Sequence, residues 1–395
     1  MTNYQEIYDE ILKDRDYIIS LRRYFHTYPE VSCKEFATAK KIEEELDALG
    51  LKHYRVAQTG VVTEIKGLKA GNKVIVLRAD IDALPLQEEH DVAYCSQNKG
   101  VMHACGHDAH IACLIGAIRA LVKHRDLFGG TVLVTFQPAE EIGYGARAII
   151  KEGVIDHAQR SFGIHVSSAV PVGKIVVATG ANRAAVDQFK IIFHGLAGHV
   201  STPELAVDAV YMAAQYVVEA QALVTRKTSP VEPVLIGIGR IEAGTAYNII
   251  AKEAVIEGTL RTLNEETRKK INHDLKALAE YTAQLFGGSV EYMSKDNTSV
   301  LINDEKATLE VQKTAKKIFG DENVITDTPI GLGGDDMAEY IKKVPGVYAY
   351  VGTRNENKQS TTAAHHTIDF DIDEDGLRVG AAIYACYAVD YLNNN

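Results

Sequence analysis

The 395-residue chain is short of several things that would mark a secreted, membrane or nucleic-acid protein. It has five cysteines, Cys33, Cys95, Cys105, Cys113 and Cys386, an odd number at wide spacing. That argues against a disulfide framework and for a reduced, cytoplasmic protein. No stretch approaches the roughly 18 uninterrupted apolar residues of a membrane span. The opening "MTNYQEIYDEILKDRDY" is acidic and amphipathic, without the basic-then-apolar order of a secretory signal. Basic residues are outnumbered, 42 against 53, for a net charge of −11, which argues against a nucleic-acid surface. There is no internal repeat and no low-complexity segment. What remains is an ordinary globular balance, 46% hydrophobic and 24% charged.

The length suggests two or three domains at about 150 residues each. Residues 5–25 and 34–49 carry apolar positions at helical spacing. Buried-type strands then alternate with helices. "NKVIVLRADIDALP" holds a strand at Val74 to Leu77 and "GGTVLVTFQPAEE" one at Thr131 to Phe136, while "RSFGIHV" is a third. Such alternation predicts an α/β sheet covered on both faces. From about residue 182 to 294 the texture changes to strand, helix, two strands, helix, strand, an α+β unit of the split-βαβ, ferredoxin-like kind. The expected organisation is a first domain of 1–181 and 295–395, interrupted by this smaller one.

Polar residues fall in a pattern. Asp80 and Asp82 follow the first strand, Glu140 and Glu141 follow the second, and His165 ends the third. Ligands of open α/β sheets bind outside the carboxyl ends of the strands. "GVMHACGHDAHIA", residues 100–112, adds three histidines, a cysteine and an aspartate at the start of a helix. In extended geometry Cys105 and His107 would point to one side, and the helix N-terminus would lower the thiol's pKa. Thiolate, imidazole and carboxylate suit Zn²⁺ or another divalent transition metal. Each residue alone also has a structural reading: a packed cysteine, a solvated helix start at Glu140–Glu141, a core histidine at His165, turn-forming aspartates. A thiol redox role for Cys105 lacks a nearby resolving cysteine.

"LRADIDALPLQEE", "GVMHACGHDAH", "FQPAEE", "GIHV" and a late "HH…F", in this order, resemble the M20 metallopeptidase superfamily over nearly the whole chain. The closer likeness is its amidohydrolase branch: hippurate hydrolases, N-acyl-amino-acid amidohydrolases, plant auxin-conjugate hydrolases and N-acetyldiaminopimelate deacetylases. The resemblance implies a two-domain fold, a catalytic α/β sandwich-type domain with an inserted α+β lid that often dimerises. It implies two divalent metal ions, Mn²⁺ or Zn²⁺ foremost and Co²⁺ or Ni²⁺ also suited. Motif by motif, it gives Cys105, His107, Glu141, His165 and His366 as ligands, with His365 as the fallback for the last. Glu140 becomes the general base for a metal-bridged water. Asp82 orients a ligand, and Asp108 and Asp80 could do the same, while His103 and His110 support without ligating. In the lid, "GLAGHVSTP" points to His199 as an oxyanion donor or substrate contact. "AYNII" and "GTLRTL" point to Asn248 and Arg261 for substrate binding. "GLGGDDM" carries Asp335 where the family usually has Glu. The implied reaction is hydrolysis of the amide of a small N-acyl amino acid, with a homodimer or higher oligomer through the lid, no nucleic acid and no membrane partner. The alternatives are a dipeptidase or aminoacylase of the same superfamily, or a non-catalytic metal- or ligand-binding protein.

Overall fold

Short runs of Val, Ile, Leu and Phe with no polar interruption favour strands buried on both faces, and in the computed structural model they pair into the centre of an eight-stranded sheet. Residues 4–327 and 331–394 are described. The sheet order is His53–Val56, Gly60–Lys66, Gly129–Gln137, Lys69–Asp80, Arg160–Pro171, Gly346–Arg354, Ile175–Val176, Val324–Ile325. From Gly129–Gln137 to Gly346–Arg354 the neighbours run parallel, with Asp80 opposite Gln137 and His165 opposite Tyr350. The carboxyl ends of these strands therefore share one edge.

Helix His107–Lys123 is buried at every residue from His107 to Ile118. Helices Arg15–Thr27 and Gly376–Asn393 pack against it. A helix apolar all round belongs inside a layer rather than on a surface. The stripe expected over residues 5–25 is two helices, Tyr4–Lys13 and Arg15–Thr27, broken at Asp14. The break lets Ile7 and Ile11 reach the core together with Ile18, Leu21 and Phe25.

The chain divides into two compact units. The larger holds Met1–Asn182, Ile302–Pro329 and Asp336–Asn395; the smaller holds Arg183–Leu301 and Ile330–Asp335. The smaller unit extends past residue 294 because its edge strand is Ser289–Thr298. Its antiparallel sheet runs in the order Val234–Ala243, Glu253–Thr262, Ala185–His194, Ser289–Thr298. With helices Ala209–Lys227 and Glu265–Leu285 this is the split-βαβ arrangement. The first of these helices starts at Ala209, because the Asp208 side chain accepts from the N–H groups of Val210 and Tyr211. Among the described residues no helix is long and apolar enough to cross a membrane.

Gly380 marks a close approach of the last helix to the layer beneath it. A Cβ there would lie 2.6 Å from Cys113 Sγ and 2.8 Å from Ile164 Cδ1. Gly380→Val is expected to destabilise the larger unit by about 1–3 kcal/mol, as overpacking does, read as a lowered midpoint in chemical denaturation.

Candidate metal centre

Asp80 and Gln137 end neighbouring strands, and the chain beyond each turns over the sheet edge. His165 lies inside its strand rather than at its end, but just past Gly163, the last residue paired to the neighbouring strand. The imidazole is thus clear of the adjoining strand. Gly106 takes φ +88°, so residues 105–107 are not extended. The left-handed turn, not an i, i+2 alternation, swings Cys105 and His107 together. A Cβ at Gly106 would sit 2.4 Å from Val166 Cγ2, which closes this position to other residues.

Five of the expected side chains converge. Cys105 Sγ is 3.4 Å from His165 Nε2 and 3.3 Å from His366 Nε2. Glu141 Oε1 is 3.6 Å from His366 Nε2 and 4.0 Å from His107 Nε2. Donors sharing one tetrahedral cation at bond lengths of about 2.0–2.3 Å stand roughly 3.3–3.8 Å apart. The buried His107 Nε2 and Glu141 Oε1 have no hydrogen-bond partner. Two unsatisfied polar atoms facing each other across 4.0 Å fit a shared cation between them.

The tautomers agree with that reading. His107 Nδ1 donates to the Asp82 carbonyl at 2.9 Å, and His165 Nδ1 to the Val166 carbonyl at 2.6 Å. Each bond leaves Nε2 as the lone-pair nitrogen aimed into the cluster. His366 adopts φ +64°, a strained conformation of the kind that collects at functional sites. His365 lies near Cys105 and His165 as well. Its Nδ1 lies 3.2 Å from the Cys105 carbonyl, and its Nε2 accepts from Ser168 N–H at 3.4 Å.

The electrostatics are those of a site built for cations. Burial, with Glu141 nearby, pushes the Cys105 thiol well above its ordinary range, against the lowering expected from a helix N-terminus. Burial likewise raises Glu141 to about 7, although His107 opposes it. Burial disfavours a charged His107, but Asp80, Cys105 and Asp82 overcome it and raise that group well above normal. Protons here occupy places a metal would take, because metal binding displaces them from its ligands.

The remaining expectations divide. Asp82, fully buried, lies 3.3 Å from His107 Nδ1 and accepts from the N–H groups of both Glu140 and Glu141. Asp80 accepts from His110 Nδ1 at 2.5 Å. His110 Nε2 accepts from Val166 N–H at 2.9 Å, so both its ring nitrogens are used away from the cluster. His103 is buried with neither ring nitrogen hydrogen-bonded, and burial lowers it to about 3, which keeps it neutral. Asp108 does not orient a ligand. One residue along the helix from His107, it faces another side and binds Arg22 Nε at 2.9 Å and His26 Nδ1 at 2.7 Å. Glu140 is nearly buried, and its Oε1 accepts from Asp336 N–H at 3.3 Å. His199 and Asn248 meet in the smaller unit, where His199 pairs with Ile249 and Val200 N–H donates to the Asn248 carbonyl. Arg261 donates to the Leu332 carbonyl at 2.9 Å in that same unit.

Sequence reasoning missed two buried cations. Arg22 bridges Asp108 and Asp371, and Arg78 bridges Asp80 and Asp336. An arginine inside the apolar "VIVLRAD" run was the available signal for the second. Nothing marked the first. Arg22→Met leaves the Asp108 carboxylate buried without its cation, and is expected to cost about 3–5 kcal/mol of stability. Adding Asp108→Asn should recover part of that loss, and unfolding of the two single variants and the double variant measures the coupling.

Comparison with known proteins places the chain among metal-dependent hydrolases. A profile of Peptidase family M20/M25/M40 matches residues 76–390. Thermostable carboxypeptidase 1 of Saccharolobus solfataricus is 37% identical over 394 residues, covering 98% of this chain and 99% of the relative. N-acetylcysteine deacetylase of Bacillus subtilis is 36% identical over 377 residues, covering 94% and 96%. The crystal structure of a dinuclear metal-binding M20 peptidase from Bacillus subtilis superposes with a TM-score of 0.83 at 33% identity, covering 96% of this chain and 99% of that one. The chain belongs to Peptidase family M20/M25/M40 and is a metal-dependent hydrolase of the amidohydrolase and peptidase kind.

Proposed function

We propose that the chain hydrolyses the amide bond of small N-acyl amino acids, with Glu140 as general base. The observation that carries this is the division of labour between adjacent glutamates. Glu141 Oε1 points at His107 and His366, whereas Glu140 Oε1 is held by the Asp336 peptide, outside the donor set. A protein that only bound metal would gain nothing from a second buried carboxylate so close.

Cys105, His107, Glu141, His165 and His366 would hold two divalent cations, Mn²⁺ or Zn²⁺ foremost. When bound, these supply Lewis-acid polarisation and a water acidified toward neutrality. Glu140 takes the proton from the attacking water and returns it to the departing nitrogen. Asp82 keeps the His107 ring in the tautomer that frees Nε2. The assignment of His199 as oxyanion donor, and of Asn248 and Arg261 to substrate binding, rests on their motifs; an arginine suits a substrate carboxylate because it can clamp it in bidentate fashion.

A second reading is peptide cleavage, favoured by the 37% identity to a carboxypeptidase. N-acetyl- and N-benzoyl-amino acids assayed beside dipeptides, on protein of measured metal content, separate the two. N-acyl substrates are expected to turn over, and turnover of dipeptides alone would overturn the proposal. Glu140→Gln is expected to lower kcat by roughly 10²–10⁴-fold while metal content stays near that of the parent. Activity surviving that change would remove Glu140 from the base role.

A further inference from the structure

Among the described residues five non-glycines have positive φ: Cys33, Ala57, Gln58, Ala139 and His366. Two of them, Cys33 and Ala139, donate to one side chain, and Ala57 and Gln58 lead into a third donor to it. Glu35 Oε1 accepts from Cys33 N–H at 3.0 Å and from Ala139 N–H at 2.9 Å. Glu35 Oε2 accepts from Thr59 Oγ1 at 2.7 Å, directly after Ala57 and Gln58. Glu35 itself has no exposed surface. It stands at the N-cap of helix Phe36–Ala48, yet makes no capping bond to that helix. Its acceptors go instead to strained turns, one of them 104 residues further on.

That distant turn is the one that matters for chemistry. It runs from Gln137 to Glu141 and presents both glutamates. Three consecutive N–H groups in it end on two carboxylates: Ala139 on Glu35, Glu140 and Glu141 on Asp82. Ala139 has φ +53°, a conformation an L-residue with a Cβ adopts only under constraint. Without the left-handed residue the chain would leave the strand extended, and successive side chains would alternate across it. With it, Glu140 turns to Asp336 and Glu141 to the donor cluster.

We infer that Glu35 is a positioning residue for the reaction, fixing the strained Ala139 turn so that base and ligand face their separate partners. It touches none of the five donors. The inference rests on the reading of Glu140 as base and Glu141 as ligand given above.

Comparing Glu35→Ala, Glu35→Gln, Ala139→Gly and the double variant Glu35→Ala/Ala139→Gly tests it. Glu35→Ala should lower kcat by roughly 100-fold with KM little changed, the scale of an ångström-sized misplacement. It should also weaken metal retention in chelator competition by about tenfold, because Glu141 rides on the same turn. Glu35→Gln keeps an acceptor for both N–H groups and should stay within about fivefold of the parent in kcat. Glycine adopts φ > 0 without penalty, so the double variant should regain roughly tenfold in kcat over Glu35→Ala. A merely structural glutamate would lower the melting temperature without moving kcat per metal-loaded enzyme. It would also show no rescue by Ala139→Gly, and either result overturns the inference. If Glu35→Ala does not fold, Thr59→Val decides. It strips one bond from Glu35 and should lower kcat about threefold or more, and an unchanged kcat would overturn the inference. A Glu140→Gln variant run alongside separates the cases: if it keeps turnover, the base assignment fails; if it is dead while Glu35→Ala is fully active, only the role of Glu35 fails.

Discussion

Asp82 is a carboxylate with no exposed surface on which several distant chain segments converge. Ser32 Oγ donates to it, the peptides of Glu140 and Glu141 donate to it, and His107 Nδ1 stands beside it. A buried carboxylate is costly unless its lone pairs are met. Burial does penalise the charged form here, yet the bonds from His107, Ser32 and Glu141 outweigh it and hold the group below its ordinary pKa. The arrangement is cooperative, because removing any one partner leaves the rest of the burial cost uncompensated. The ligand helix, the base-bearing turn and the Ser32 segment are thereby locked to one another by a single group.

Other buried ions reinforce this without joining the chemistry. His107 and Asp108 are adjacent on one helix, yet one faces the donor cluster and the other the Arg22–His26 pair. The same helical turn is thus fixed from both sides. Arg78 performs a similar service at the sheet edge. It spans Asp80, which holds His110, and Asp336, whose peptide N–H holds Glu140. Buried ion pairs contribute little net stability compared with apolar packing, and their better-attested use is to specify one arrangement among several. A site needing five donors at set spacings is where such specificity has value.

The pattern of residues explains what could be read in advance. The central strands were visible because buried parallel strands are apolar without interruption. The cluster was visible because Glu141 follows one of those strands, His165 lies in another, and Cys105 and His107 open a helix with metal-type side chains. His366 came only from likeness to a family, since nothing local marks it. Partnerships between distant residues were invisible. Arg22 meets Asp108 across 86 positions, Glu35 meets Ala139 across 104 and Arg78 meets Asp336 across 258. No periodicity carries such pairings, and so the expectation that Asp108 could orient a ligand missed its partners Arg22 and His26. Backbone sign was equally hidden. Extended geometry at residues 105–107 gave the right convergence for the wrong reason, because Gly106 makes a left-handed turn instead.

Those left-handed residues define where the fold accepts strain. A non-glycine at φ > 0 costs about 1–2 kcal/mol, and net stability for a domain is only about 5–15 kcal/mol. The five among the described residues together cost an amount comparable with that net stability, though small beside the gross burial a core supplies. Such a concentration survives only where surrounding structure over-determines it. Here the restraints are identifiable: Glu35 and Asp82 on the turn at Ala139, and the Ala104 carbonyl accepting from His366 N–H at 2.8 Å. The apolar layer of the larger unit supplies the stability that offsets the strain, and the polar residues decide where the strain is placed. Placed at Ala139 and His366, it turns the chain off regular extended geometry just where Glu140, Glu141 and His366 are presented.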